Sequence, residues 1–168
     1  MRPAIRFGRG DKNDRHQDLV LIGSPKSNPI TKAALEALKQ EGTLRCEFRE
    51  SPNNPGRWEI LFDDAHLESQ GYDQLDRLLE EGKDAHDGPL EDYGLLAKVR
   101  NPWNRAATML VVAGIRALGT WGAARHLAER ATEVHEEVKD RNFLWIVKVT
   151  YSNWRIDRTD GTKHWSPC

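Results

Sequence analysis

The chain has few cysteines and no long apolar run. Its two cysteines, Cys46 and Cys168, lie far apart, so they give neither a metal-ligand spacing nor a disulfide framework. No stretch approaches the ~18 consecutive apolar residues that a membrane span needs. The polar, basic start of the chain lacks the apolar segment of a secretory signal. We therefore expect a soluble protein of the reducing cytoplasm.

An excess of charge of either sign is also missing. The sequence holds 25 basic and 26 acidic residues, for a net charge of -1. A balanced chain has no general electrostatic attraction for nucleic acid or for an anionic membrane. Neither is expected as a partner.

Recognisable catalytic motifs are absent as well. The sequence contains no phosphate loop, no GxGxxG, no GxSxG and no HExxH. No carboxylate is singled out by its spacing, so the catalytic residues stay unknown and no metal or cofactor is predicted. The histidines do not cluster, and we expect them to be solvated on the surface: His16, His66, His86, His126, His135 and His164.

The length predicts one domain, over residues 17–158. Residues 1–16 carry few apolar side chains and are expected to form a frayed or disordered leader. Residues 159–168 are expected to form a C-terminal tail, after a turn over residues 158–161.

Local patterns predict the elements between these ends. Strands are expected over residues 18–22, 44–50, 57–62, 93–100, 109–113 and 143–157, helices over 29–40, 74–81 and 120–130, and a turn at 101–104. The strands over 44–50 and 57–62 form an antiparallel hairpin around SPNNPG. Asn28 is expected to cap the first helix, with Pro29 in its first position.

Two strand-loop-helix units stand out, DLVLI with its following helix and TMLVVAGIRALGT with its following helix. They predict an α/β sandwich of two or three layers with a mixed sheet, in which strands 18–22 and 109–113 are parallel neighbours at the centre. Both loops then open at one edge of the sheet, where the free N–H groups of two helix starts favour an anion such as phosphate.

The residues of these loops are the candidate ligand-binding set. Glycines allow close backbone approach, hydroxyls donate hydrogen bonds, and one cation stands in each loop. The set is Gly23, Ser24, Lys26, Ser27 and Asn28 in the first loop, and Gly114, Arg116, Gly119 and Thr120 in the second. The alternative interpretation is that the glycines only end strands and turn the chain while Asn28 caps a helix; both remain open.

The strings DLVLIGSPKSNP, DYGLLAKVRNPWN and TMLVVAGIRALGTWGAA resemble an uncharacterised Rossmann-like domain of prokaryotes. Similar strings occur at the C-terminal end of some archaeal S-layer-type proteins and in bacterial proteins fused to regulatory domains. The resemblance covers roughly residues 18–157, and it implies a Rossmann-like layered fold with no activity to carry over.

The Gly119-Thr120 step also resembles the phosphate-contacting GGxGT loop of lysine-decarboxylase-like, nucleotide-sensing domains. The adjacent glycine pair and the downstream glutamate of that loop are missing here. These departures argue against hydrolysis of a nucleotide.

Three functions follow as hypotheses. The first is a ligand-sensing, signalling module that binds a nucleotide or another small phosphorylated molecule between the two loops. The second is a protein-interaction or oligomerisation domain without a small ligand, in which the tryptophans or the strand over residues 143–157 pair with a partner. The third is a nucleotide-processing hydrolase, which would draw its carboxylate from Glu47, Glu50, Glu59 or Asp92.

Overall fold

The computed structural model describes residues 15–70, 89–139, 141–152 and 155–164. The predicted helix over 74–81 lies outside these ranges. The elements, numbered in chain order, are β1 (Leu19–Ile22), α1 (Pro29–Gln40), β2 (Cys46–Glu50), β3 (Trp58–Phe62), β4 (Ala65–Glu68), β5 (Leu90–Asn101), β6 (Asn104–Gly114), α2 (Ala117–Glu129), α3 (Ala131–Val138), β7 (Phe143–Ser152) and β8 (Arg155–His164).

The strands form two sheets. The larger sheet has the order β1-β6-β5-β7-β8, and the smaller one has the order β2-β3-β4. β1 and β6 are parallel, with Leu21 opposite Val111. Every other pairing in the two sheets is antiparallel.

This architecture overturns the expected Rossmann-like sandwich with a parallel-centred sheet. Strands make up 46% and helices 27% of the structure. β1 and β6 are neighbours as predicted, but they lie at one edge, and the centre belongs to the antiparallel strand β5. The physical reason is that β6 is reached through a tight hairpin from β5 and not through a helical crossover.

The two faces of the large sheet are covered differently. On one face, α1 and the small sheet share a core with Leu95, Val111 and Ile146. On the other face, α2 and α3 pack on alternate residues of the same strands, among them Leu96 and Val147. The three-stranded sheet therefore takes the place that helices occupy in a three-layer α/β sandwich.

The prediction of α1 is confirmed. The Asn28 side chain accepts hydrogen bonds from the backbone N–H groups of Ile30 and Thr31, at 3.0 and 3.3 Å. Pro29 has no N–H to satisfy, which suits the first helical position. The buried face repeats at helical spacing through Thr31, Ala34, Leu35 and Leu38.

The turn at residues 101–104 is also confirmed, and its asparagines do more than close it. The Asn101 amide donates to the carbonyl oxygens of Arg15 and Gln17, at 2.7 and 2.8 Å. The Asn104 amide donates to the carbonyl oxygen of His16 at 2.6 Å. Thus Arg15 and His16, which the sequence assigned to a frayed leader, are held against the turn that joins β5 to β6.

α2 begins at Ala117, three residues before the predicted start. It can lie directly on the sheet because its contact face is made of small residues. A Cβ at Gly119 would lie 2.3 Å from the carbonyl oxygen of Tyr93, and one at Gly122 would lie 2.3 Å from Val149 Cγ2. Glycine is therefore required here by packing, at a close helix-sheet approach.

Two further expectations fail at the end of the chain. β7 was a candidate edge strand, yet it lies between β5 and β8 and is largely buried. Residues 158–161 were expected to turn and 159–168 to form a tail, but residues 158–164 continue β8. The register places Gly161 opposite Val147.

Candidate functional site

The carboxyl ends of the parallel strands β1 and β6 lie side by side, and from there the chain continues toward opposite faces of the large sheet. After β1 it enters α1, whose Ala34 and Leu35 belong to the core on one face. After β6 it enters α2, whose Leu118 and Ala123 belong to the core on the other face. We call the two loops that follow these strand ends, residues 23–28 and 115–116, the edge site. Neighbouring parallel strands that diverge in this way leave a crevice in which α/β sheets commonly bind ligands.

The first loop is shaped by its own hydrogen bonds. Gly23 has a φ of 120°, a conformation that favours glycine, and its N–H donates to the carbonyl oxygen of Val112 at 2.9 Å. The Ser24 carbonyl accepts from the N–H groups of Ser27 and Asn28. The Ser24 hydroxyl accepts from the N–H of Lys26 at 3.3 Å, and the Ser27 hydroxyl donates to the Ser24 carbonyl.

Asn28 has a structural role. Its side-chain amide donates to the carbonyl oxygen of Ile22 at 3.2 Å while its side-chain oxygen caps α1. The N–H groups at the start of α1 are therefore already satisfied from within the chain. A ligand at this loop would be held by side chains, and not by the free helix N–H groups that the sequence suggested.

The second loop is closely packed. A Cβ at Gly114 would lie 2.1 Å from the backbone nitrogen of Thr120, so this glycine lets the chain turn back on itself. The Thr120 hydroxyl donates to the carbonyl oxygen of Arg116 at 3.3 Å.

The nine candidate residues fall into two groups. Five of them shape the backbone: Gly23, Asn28, Gly114, Gly119 and Thr120. The other four carry the polar side chains of the edge site: Ser24, Lys26, Ser27 and Arg116.

Asp92, which the sequence offered only as one of four candidate catalytic carboxylates, lies beside the second loop. It is fully buried on β5, and its carboxylate accepts from the N–H groups of Gly119 and Tyr93, at 2.6 and 2.9 Å. It thus supplies a negative group to the start of α2, which is favourable for the helix dipole. Its alternation with Gly94 and Leu96 along β5 is the signal that places it under α2.

The electrostatics of Asp92 are set by burial. Burial raises the pKa of the carboxyl group, and the hydrogen bonds from Tyr93, Gly119 and Ser69 and the positive charge of Arg116 offset this only in part. Both carboxylate oxygens are engaged by backbone N–H groups. This arrangement suits a helix cap and does not favour the hydrolase hypothesis.

Thr31 is a second residue that the sequence did not single out. Its side chain lies in the first turn of α1 and is fully buried. Among the described residues, nothing forms a hydrogen bond with its hydroxyl. Buried polar atoms are usually paired, so an exception calls for an explanation.

An aromatic side chain also borders the first loop. The Lys26 ammonium lies 5.7 Å from the centre of the Trp58 ring, in a cation–π arrangement. Trp58 is partly buried against the core, and Lys26 is exposed. The small sheet therefore brings an indole next to the one cation of the first loop.

A separate polar cluster lies on the face of the small sheet that points away from the core. The buried carboxylate of Glu59 accepts from Arg49 Nε at 2.7 Å and contacts His66 Nδ1 at 3.1 Å. Burial alone raises the pKa of Glu59, and the hydrogen bonds from Arg49 and His66 outweigh it, so that the pKa lies below its ordinary value. The cluster joins all three strands and holds the small sheet together.

The expectation that all histidines are solvated is wrong for His126. It is buried between α2 and β8, with Nδ1 3.1 Å from the Thr159 hydroxyl and its ring edge-on to Trp145. Burial and the charge of Arg130 lower its pKa. Within the described ranges, no three His, Cys, Asp or Glu side chains are grouped to hold a metal ion.

In the part of the chain that the structure describes, no helix is long and apolar enough to cross a membrane. No protein-family model, no curated protein and no solved structure matches this chain. A functional conclusion therefore depends on the geometry of the edge site alone.

Proposed function

We propose that this protein is a sensing module that binds a nucleotide or another small phosphorylated molecule at the edge site. The observation that carries the proposal is the divergence of β1 and β6 toward helices on opposite faces of the sheet. This is the position at which an open sheet offers a crevice to a ligand without disturbing its core.

The polar side chains of the edge site suit an anionic ligand. Lys26 and Arg116 bring one positive charge from each loop, and Ser24 and Ser27 add hydroxyl groups. Since Asn28 and Asp92 already satisfy the helix starts, the phosphate would be bound by these side chains. A cytoplasmic location belongs to the same proposal, in keeping with the buried free thiol of Cys46.

A thermal-shift screen against AMP, ADP, cyclic AMP and ribose 5-phosphate tests this function. A ligand at 100 times its dissociation constant stabilises the folded state by ~2.7 kcal/mol, which raises Tm by about 5–11 °C for a chain of this size. We expect the double variant Lys26→Ala/Arg116→Ala to lose the shift.

The matched control is Lys32→Ala/Arg105→Ala, which removes the same charge from surface ion pairs with Glu36 and Glu41. It should keep the full shift. The proposal fails if none of the four compounds raises Tm, or if the shift persists unchanged in Lys26→Ala/Arg116→Ala.

A specific observation also favours the interaction domain as a second candidate. β1 is an edge strand in the described part of the large sheet, and its Val20 and Ile22 are 61% and 56% exposed. An exposed apolar edge strand can pair with a strand of a partner. Light scattering on the eluted protein would show a dimer that Val20→Lys converts to a monomer; a monomer in the unmodified protein argues against this candidate.

A further inference from the structure

The position of Trp58 bears on the kind of ligand that the edge site takes. Trp58 is the first residue of β3, and it shares the inward face of the small sheet with Ile60 and Phe62. Ile60 and Phe62 are buried, whereas Trp58 is buried only in part. Its ring thus belongs partly to the core and partly to the surface beside the first loop.

The Lys26 ammonium lies over this ring, 5.7 Å from its centre. A cation–π contact at an exposed site is weak, so a flat aromatic group can replace it. Stacking of a nucleic-acid base on an aromatic side chain is stronger. Displaced from the ring, Lys26 stays within the same loop and is available to a phosphate group.

On this geometry we propose that the ligand is a nucleotide whose base stacks on Trp58 while its phosphate binds Lys26. The inference rests on the proposed function and deepens it, because it separates nucleotides from other phosphorylated molecules. Lys26 connects the base contact with the phosphate contact. Its ammonium lies near the Trp58 indole, and its loop also carries the hydroxyl groups of Ser24 and Ser27.

The buried hydroxyl of Thr31 is an independent observation in the helix that follows the first loop. Side chains on a helix incline toward its N-terminus, so Thr31, in the first turn of α1, inclines toward the loop over residues 23–28. Its unpaired oxygen atom is nevertheless fully buried. Thr31 therefore leaves unused hydrogen-bonding capacity next to the first loop.

The test compares AMP with ribose 5-phosphate by titration calorimetry, because the two differ by the base alone. We expect AMP to bind about tenfold more tightly. The variant Trp58→Leu should bind both compounds with equal affinity, whereas Trp58→Phe keeps a flat ring and should retain a preference for AMP. Trp103→Leu is the matched control. Trp103 also lies under a cation, Arg15, but in the turn between β5 and β6, at the opposite end of these strands.

Fluorescence provides a second measurement that does not depend on the stability of Trp58→Leu. AMP should quench part of the tryptophan emission in the unmodified protein, and this quenching should vanish in Trp58→Phe while AMP still binds. Equal affinities for AMP and ribose 5-phosphate in the unmodified protein, or quenching that persists in Trp58→Phe, overturn the inference and leave the proposed function standing. Binding of neither compound overturns the inference, and the proposed function fails with it only if ADP and cyclic AMP also leave Tm unchanged.

Discussion

Gly122 lies where α2 rests on β7, and Gly122→Ala tests how closely they pack. In an ordinary helix interior this change stabilises by about 1 kcal/mol, because alanine is the better helix former. Here the new Cβ would lie 2.3 Å from Val149 Cγ2 and 2.7 Å from Val149 Cγ1. These distances are far inside van der Waals contact, and overpacking of a buried site costs about 1–3 kcal/mol.

Because the clash is severe, we take the upper end of that range, so the net destabilisation of Gly122→Ala is about 2 kcal/mol after the gain in helix propensity. Val149 is fully buried, and Val149→Ala alone should destabilise by about 2 kcal/mol through lost burial and a cavity. In the double variant the methyl group added at position 122 occupies space that the Val149 side chain has vacated. With the clash removed, only the gain in helix propensity remains, so the double variant should be about 1 kcal/mol more stable than Val149→Ala, which corresponds to a coupling energy of about 3 kcal/mol in magnitude.

Urea unfolding of the four proteins, followed by far-ultraviolet circular dichroism, measures this cycle. The midpoints should shift at constant slope, since the surface exposed on unfolding does not change. If Gly122→Ala stabilises the protein, or if the two single effects add in the double variant, α2 does not rest on β7 as closely as described.

Two further predictions concern the first loop and the small sheet. Asn28→Ala removes the cap of α1 and should lower the free energy of unfolding by about 1 kcal/mol in urea titrations. Ser27→Ala, at the exposed neighbouring residue, should change the free energy little. Equal effects of the two substitutions would contradict the capping role of Asn28. Because the pKa of Glu59 is lower in the folded state than in the unfolded chain, Glu59 stabilises the fold above its unfolded pKa, and this stability is lost as the pH falls through its folded pKa. Glu59→Gln should therefore flatten the acid side of the stability profile below about pH 4.5, the ordinary pKa of a glutamate, and an unchanged profile would contradict this role of Glu59.

The sequence predicts the locally determined features well. Asn28 and Pro29 determine where α1 begins, because the cap and the first helical position are adjacent residues. The parallel pairing of β1 with β6 also follows from their loop-helix continuations. The position of β1 and β6 on one side of the sheet cannot be predicted in this way. Strand order depends on how hairpins that are distant in the chain add to β5, and no local pattern encodes it.

Two of the wrong predictions have the same cause, which is that a glycine can serve close packing instead of a turn. Gly119 was interpreted as a loop residue, but it lies inside α2 against the carbonyl oxygen of Tyr93. Gly161 was interpreted as part of a turn, but it lies within β8, where a Cβ would come within 2.6 Å of His126 Nε2. Thr31 was missed, and Asp92 was considered only as a catalytic carboxylate, because the neighbours that decide their roles come near only in the folded chain.

The hydrogen bonds that Asn101 and Asn104 donate to residues 15–17 affect the order in which the chain can fold during synthesis on the ribosome. The segment before β1 is bound by side chains of the β5–β6 turn, and Asp18 accepts from the N–H of Thr108, 90 residues further along the chain. At about 5–20 residues per second, β1 emerges roughly 5–18 seconds before the strand that pairs with it. During that interval its apolar residues have no sheet to join, so α1 and the β2–β3 hairpin can form first, and the edge site is completed only after β6 has been translated.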